Sequence, residues 1–493
     1  MVNLTSITHL GQACISISCN STVLVCDPWF SSNSQCCGWS QYPKPAHDAV
    51  HQAFKATHIY ISHDHEDHFD IAFLQKLDPV ILILPEFQNF SFRSLVDRYL
   101  SHHHIIWVSD RETYQLSDNF SITIYLEKPY YRSNSAAVIT TQSATIFNGN
   151  DCGFDSDMLL DINTRYSPDV SLYTMNFAAN AYPLCFTSKI DSAEINQVYE
   201  TLKREHLEKF DRVFELLSPK IAFAFAGPII FSQKFNQLFN ADPDLTDWRD
   251  LLSSSPYAKS YHYLVPGDRF TFKDASITHS TLQFSSRTYH LEPIKWPSGD
   301  ESSFSELISS FNSELRVIID QLPNPPASNL EFQVVPDGLD PSTALSTESY
   351  EIVLNQSRNA GKLTIRSSEK VLRPFLANNI SYDTLQLSQS AFFKRSDGHD
   401  DILHNILKYC RDPLAFKAYL TSQTNKPSFL SCQVGNKVFR VPTRCPHEGE
   451  PLNCTDIVDS TITCPRHGWV FDLETRKCVK GGRLELPCPS SDE

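Results

Sequence analysis

The 493-residue chain contains no run of 18 or more apolar residues, so no segment of it reads as a membrane-spanning helix. Its opening, Met1-Val2-Asn3-Leu4-Thr5, has neither a basic stretch nor an apolar one, which predicts a chain that is neither exported nor inserted into a membrane. Long basic runs are lacking too. Lys plus Arg number 42 against 57 Asp plus Glu, a formal charge of -15, and a general nucleic-acid binder is not expected. There is no internal repeat, no low-complexity tract and no glycine-rich fingerprint for flavin or nicotinamide. What is present is an ordinary globular mixture, 41% hydrophobic, 12% aromatic and 20% charged, which rules out a largely disordered or collagen-like chain. The 14 cysteines are scattered over a large chain rather than concentrated in a small one, and they predict a reducing, cytoplasmic setting. The sequon Asn89-Phe90-Ser91 then carries no meaning for glycosylation.

The length predicts several domains. Up to about residue 290, β-branched and aromatic runs alternate with helical segments. Strands are expected at Ile7 to Ile17, Thr22 to Cys26, Thr57 to Ser62, Val80 to Leu84, Ile105 to Ser109, Ile122 to Leu126, Ala137 to Thr140 and Thr145 to Phe147. Ile195, Val198, Leu202, Phe210, Val213, Phe214 and Leu217 form one stripe of a helix over 191–217, stopped at Ser218-Pro219. Turn-forming residues at 292–303 suggest a boundary. We therefore expect a metal-binding unit over 1–295, an α+β unit over 296–410 with a helix near 303–321 and strands near 330–335 and 350–354, and a β-rich unit over 411–493.

Two constellations carry chemistry. The apolar strand ending at Ser62 empties into His63-Asp64-His65-Glu66-Asp67-His68. His63 and His65 are two apart, so extended backbone would aim both rings one way, while the following turn presents Asp67 and His68 to an adjacent position. One short loop can seed one or two metal sites, and imidazole with carboxylate suits zinc, iron or manganese. The second constellation is Cys445-Pro446-His447 and Cys464-Pro465-Arg466-His467: two loops, each offering one thiolate and one imidazole. That composition serves a [2Fe-2S] cluster with Cys445 and Cys464 on one iron and His447 and His467 on the other, and a structural zinc would accept the same four residues.

The flanks add resemblances. His-x-His-x-Asp-His after a buried strand resembles the metallo-β-lactamase fold, an αββα sandwich with a mono- or binuclear metal site at one edge. Ile7-Thr8-His9-Leu10-Gly11 and Val25-Cys26-Asp27-Pro28-Trp29 resemble the first hairpin of its lactonase-like and hydroxylase-like branches, which implies that Asp27 supports a ligand histidine. Phe147-Asn148-Gly149-Asn150-Asp151-Cys152 resembles the segment that supplies a bridging carboxylate, making Asp151 a further candidate ligand. The loop Glu127 to Ser135 lacks the histidine that hydrolytic members add there. Cys445-Pro446-His447-Glu448-Gly449 and Cys464-Pro465-Arg466-His467-Gly468-Trp469 resemble Rieske modules of the oxygenase type; Cys454, Cys478 and Cys488 are expected to be spectators.

Asp169 to Pro183 and Ile221 to Pro228 are similar to stretches of the CMP-N-acetylneuraminate hydroxylase family, although there the Rieske module precedes the metal domain. Together these resemblances imply a Rieske-dependent iron oxygenase. It would take O2, electrons from an external ferredoxin, cytochrome b5-like protein or reductase, and a small metabolite, a nucleotide sugar among the candidates. The catalytic candidates are His63, His65, Asp67 and His68. The competing expectations are a lactonase-like zinc hydrolase with a redox-sensing Rieske domain, and an electron carrier whose first domain has lost catalysis. Other polar residues receive plainer readings: His102-His103-His104 close a helix, His206 is a core histidine, His262 is a strand residue held in reserve as a ligand, and Arg132, Arg165 and Lys189 are surface charges.

Overall fold

The computed structural model describes residues 4–32, 38–87, 90–127, 133–154, 156–174, 192–227, 229–231, 246–273, 276–292, 302–322, 326–341, 343–357, 360–388, 390–395, 401–411, 416–417, 420, 428–446, 452–464, 469–480 and 485–487. The first unit is built on two large mixed sheets. In the first sheet the hairpin-connected strands Thr5–Gly11, Cys14–Cys19 and Thr22–Cys26 continue through the parallel strands His58–Tyr60, Ile81–Pro85 and His104–Val108, and Asp268–Lys273 and Ser276–Thr281 extend its other edge. The single strand expected over Ile7 to Ile17 is in fact two. Gly11 (φ +144°) and Gln12 (φ +46°) reverse the chain, a turn hidden in the sequence because both flanks are equally apolar.

The second sheet runs Tyr261–Tyr263, Ile221–Phe225, Val170–Thr174, Thr145–Asn150, Ser135–Thr141, Phe120–Leu126 and Thr113–Ser117. Its last four strands are antiparallel neighbours, whereas the first four make three parallel pairings that need helical crossovers, supplied by Ser156–Tyr166, Ser192–Leu217 and Thr246–Ser253. Side chains alternate across the sheet. Ile122, Ile124, Ala137, Ile139, Phe223 and Phe225 join residues of the first sheet in one core, while Tyr125, Val138 and Phe147 face outward onto Leu159, Ile162, Val213 and Leu217 of the helices. Helix, sheet, sheet, helix is the αββα sandwich that the sequence led us to expect. Phe210, Val213 and Leu217 bury the expected stripe of the long helix; the side chains of Ile195, Val198 and Leu202 lie outside the described set.

In the middle of the chain, a sheet ordered Glu348–Ile352, Ser328–Val335, Gly361–Ser368, Phe392–Arg395 packs against helices that include Phe304–Ile319, Glu369–Leu376 and Asp401–Tyr409 around Phe311, Phe332, Ile365 and Phe375. A reciprocal Ser303–Glu306 capping box starts the first of these helices. The C-terminal part is mostly strand: the hairpin Phe429–Val434 and Lys437–Pro442, and four short strands from Ile457 to Lys480. Cys454, expected to be a spectator, is disulfide-bonded to Cys432 and ties the hairpin to the loop that follows it. Among the described residues, no helix is long and apolar enough to cross a membrane.

Candidate functional site

The 63–68 loop begins where the strand His58–Tyr60, hydrogen-bonded on both sides by parallel strands, reaches the edge of the first sheet. The Ser62 amide donates to Asp27 Oδ1 at 2.7 Å, fixing the strand exit. The loop then closes in the turn expected to present Asp67 and His68: both His68 N and Phe69 N donate to His65 O, at 2.9 and 2.8 Å. Asp70 locks the far side. It caps the short helix Ile71–Leu74 by accepting from Phe73 N, and it accepts from the amides of Phe30 and Ser31 and from the Ser31 hydroxyl.

This turn and the segment after Thr145–Asn150 bring His63, His68 and Asp151 into one group, with His65 against His63 and Asp67 against His68. His63 Nε2 lies 2.8 Å from His65 Nδ1, and the His63 and His68 rings are 4.2 Å apart. His68 Nε2 is 3.3 Å from Asp67 and 3.2 Å from Asp151. One ligand atom each from His63, His68 and Asp151 falls within 4.8 Å of the others, a spacing that a single metal ion can bridge. The other ring edges are held by protein. His63 Nδ1 meets the Ser62 hydroxyl at 2.9 Å, and His68 Nδ1 faces Asp27 Oδ2 and the Asn150 amide at 3.5 Å each. Outer partners of this kind fix ring orientation and raise ligand basicity.

The two buried rings differ in their hold on a proton. Burial, reinforced by His68 and His65, pushes His63 well below the ordinary histidine value. Burial acts the same way on His68 but is outweighed by Asp67 and Asp151, which hold it well above that value. A cation bound at this point would take the place of the His68 proton. The imidazole and carboxylate donors fit iron, zinc or manganese.

Three supporting residues escaped the sequence reading. Asn150, at φ +49°, donates to Asp27 Oδ2 and to the Ser62 hydroxyl; Asp70 anchors the loop; and buried Glu127 accepts from Gly153 N at 2.8 Å, holding the Asp151 segment. The signal for Glu127 was an isolated acid closing an apolar strand. His103 is fixed between Leu74 O and Val80 N, so hydrogen bonding rather than the helix dipole explains it. His206 is a core histidine whose pKa burial drives down to about 3, and it also feels Asp151. Arg165 meets Asp161 and Tyr125. His262 is indeed a strand residue, beside Asp268; Arg132 and Lys189 lie outside the described residues.

In the C-terminal part, Cys445 and Cys464 are buried in one apolar cluster with Val441, Leu452, Ile462 and Phe471, and neither takes part in a disulfide. Buried paired thiols from two loops suit a cluster ligand set. His447 and His467 lie outside the described residues. This part contacts the long helix of the sandwich: Arg212 pairs with the buried Asp456 carboxylate at 3.0 Å, and Lys480 pairs with Glu205 at 2.8 Å. Burial raises the pKa of Asp456 against the pull of Arg212, and the Cys464 thiol adds to the rise.

An αββα sandwich with a His-x-His-x-Asp-His loop at its sheet edge is a metallo-β-lactamase fold, here joined to a C-terminal iron–sulfur module. Residues 419–488 match the Rieske [2Fe-2S] domain family. Over 98% of its length the chain is 21% identical to a Mycolicibacterium smegmatis protein named as a Rieske 2Fe-2S iron-sulfur protein, 99% of which is covered. It is also 23% identical to cytidine monophosphate-N-acetylneuraminic acid hydroxylase of Xenopus laevis over 45% of this chain but only 38% of that protein. Among solved structures, the diiron β-hydroxylase CmlA of Streptomyces venezuelae aligns over 55% of this chain and 54% of that one, at 15% identity and a TM-score of 0.35. A metallo hydrolase of Ignicoccus hospitalis aligns over 55% of this chain and 99% of its own, at 14% identity and a TM-score of 0.36.

Proposed function

We propose that the protein is a Rieske-linked iron oxygenase that hydroxylates a small metabolite, with His63, His65, Asp67, His68 and Asp151 holding the front metal and Cys445, His447, Cys464 and His467 holding the cluster. The observation that carries this reading is the placement of a Rieske domain against the helix Ser192–Leu217. Arg212 of that helix grips Asp456 of the Rieske domain, and Glu205 of the same helix pairs with Lys480 of that domain. Hydrolysis needs no electrons, so a one-electron module docked on a helix of the metal domain favours redox chemistry there. When loaded, the cluster supplies single electrons and the front iron supplies oxygen activation. The chain's own residues do the positioning. Asp27 and Asn150 orient His68, Ser62 orients His63, and Glu127 holds the segment that carries Asp151.

Hydroxylation of a nucleotide sugar is the substrate reading suggested by the hydroxylase relatives. The electron source is a separate ferredoxin, cytochrome b5-like protein or reductase; the cytoplasmic setting expected from the scattered cysteines stands against the Cys432–Cys454 disulfide, a bond that is rare in a reducing compartment. The domains divide near 295 and 410. The deciding experiment measures metal content and reductant-driven O2 consumption together. The oxygenase reading requires more iron than the two atoms of the cluster and substrate turnover that Cys445→Ser abolishes along with the visible absorption, while front-site iron stays. Zinc at the front site with anaerobic turnover would establish the hydrolase instead.

A further inference from the structure

At the side of the sandwich, the edge strand of one sheet meets the edge hairpin of the other. Tyr261–Tyr263 carries His262, Asp268–Lys273 begins with Asp268, and Ser276–Thr281 carries His279. We propose that His262, Asp268 and His279 form a second divalent-metal site, one that takes zinc and clasps the two sheets together.

The Asp268 carboxylate is the centre of the cluster. Asp268 is only 4% exposed, and its charged partners among the described residues are the two histidines. Its Oδ2 accepts from Val265 N at 3.0 Å and faces His262 Nε2 at 3.3 Å; its Oδ1 faces His279 Nε2 at 2.9 Å. Both imidazoles therefore present the same nitrogen to one buried anion. One ligand atom from each of the three residues lies within 4.8 Å of the others. Zinc bound through arms of about 2.0–2.1 Å places neighbouring ligand atoms about 3.3 Å apart, so little rearrangement separates the present spacing from coordination.

The rings are also held in place. Phe270, paired with His279 across the hairpin, stacks on it at 4.5 Å and an interplanar angle of 17°, and meets His262 edge-on at 4.9 Å. Both histidines are partly exposed, which leaves an entry path and room for water to complete the coordination. Burial alone would raise the Asp268 pKa, but the hydrogen bonds from His262, Val265 N and His279 outweigh it and hold the value at about 2, so the site offers a buried anion to a divalent ion. Nothing in this site draws on the oxygenase reading, and the two stand or fall separately.

The test titrates the purified full-length protein with zinc after dialysis against EDTA, counting bound equivalents by elemental analysis. The parent protein takes up one more zinc than His279→Ala, and His279→Cys recovers that equivalent, since thiolate is also a zinc ligand. Zinc also raises the melting temperature of the parent by more than that of His279→Ala. Visible absorption of the cluster stays the same in all three. Equal zinc content and affinity in parent and His279→Ala, or a loss that His279→Cys does not restore, overturns the proposal and identifies the trio as a hydrogen-bonded cluster only.

Discussion

His68 concentrates the electrostatics of the front site in one side chain. With its pKa raised above the unfolded value of about 6.5, its proton stabilises the metal-free protein fully below that pH, and the contribution disappears as pH rises through the raised value. Metal uptake follows the opposite course. Affinity at the front site, measured by competition with a chelator, should strengthen with rising pH until His68 is deprotonated. Asp27 acts behind the same ring, so Asp27→Ala should weaken metal binding by roughly 10–100-fold while leaving the cluster spectrum intact. Unchanged affinity in that variant would remove Asp27 from the site. At this scale the sequence was informative about ligands and less so about their supports: six consecutive residues announced the loop, but Asn150 reaches Asp27 across 123 positions, a contact that no local pattern encodes.

Among the elements, the long helix Ser192–Leu217 has two tasks. One side buries Phe210, Val213 and Leu217 against the second sheet, and Arg212 reaches out to the Rieske domain. Arg212→Ala leaves the Asp456 carboxylate without its cation, at a cost of roughly 1–2 kcal/mol because Arg212 itself is part-exposed. Rapid-mixing kinetics should then show slower reoxidation of the cluster by the front site with the cluster spectrum unaltered; an unchanged rate would detach this contact from electron delivery. In the middle unit, Phe311 is fully buried against Phe332 and Phe375, and Phe311→Ala should destabilise by about 3–5 kcal/mol in denaturant titration. Periodicity foretold the helices Ser192–Leu217 and Phe304–Ile319 closely. It missed the turn at Gly11 and Gln12 and the strand Gly361–Ser368, because an apolar run reads the same whether it continues or folds back.

For the whole molecule, the described residues form separate buried clusters in the sandwich, the middle unit and the C-terminal module. The units also touch. Gly38 of the sandwich lies so close to the Ser388 backbone that a Cβ there would stand 1.8 Å from its carbonyl oxygen. Gly38→Val should therefore loosen the middle unit from the sandwich, seen as faster cleavage near residues 295 and 410 in limited proteolysis. Cleavage at parent rates would show that the contact gives way without cost.

The sequence by itself determined the chemistry on offer: a strand that ends in a histidine-rich loop, and two Cys-and-His loops spaced for an iron–sulfur centre, each set by neighbours a few residues apart. Only the tertiary structure decided which outer partners orient those ligands, that Arg212 meets Asp456, that Cys432 bonds to Cys454, and that His262, Asp268 and His279 converge. The reason is physical. Hydrophobic period and turn chemistry act over a handful of residues, whereas a buried carboxylate finds its partners wherever the packing of two sheets and a helix happens to bring them.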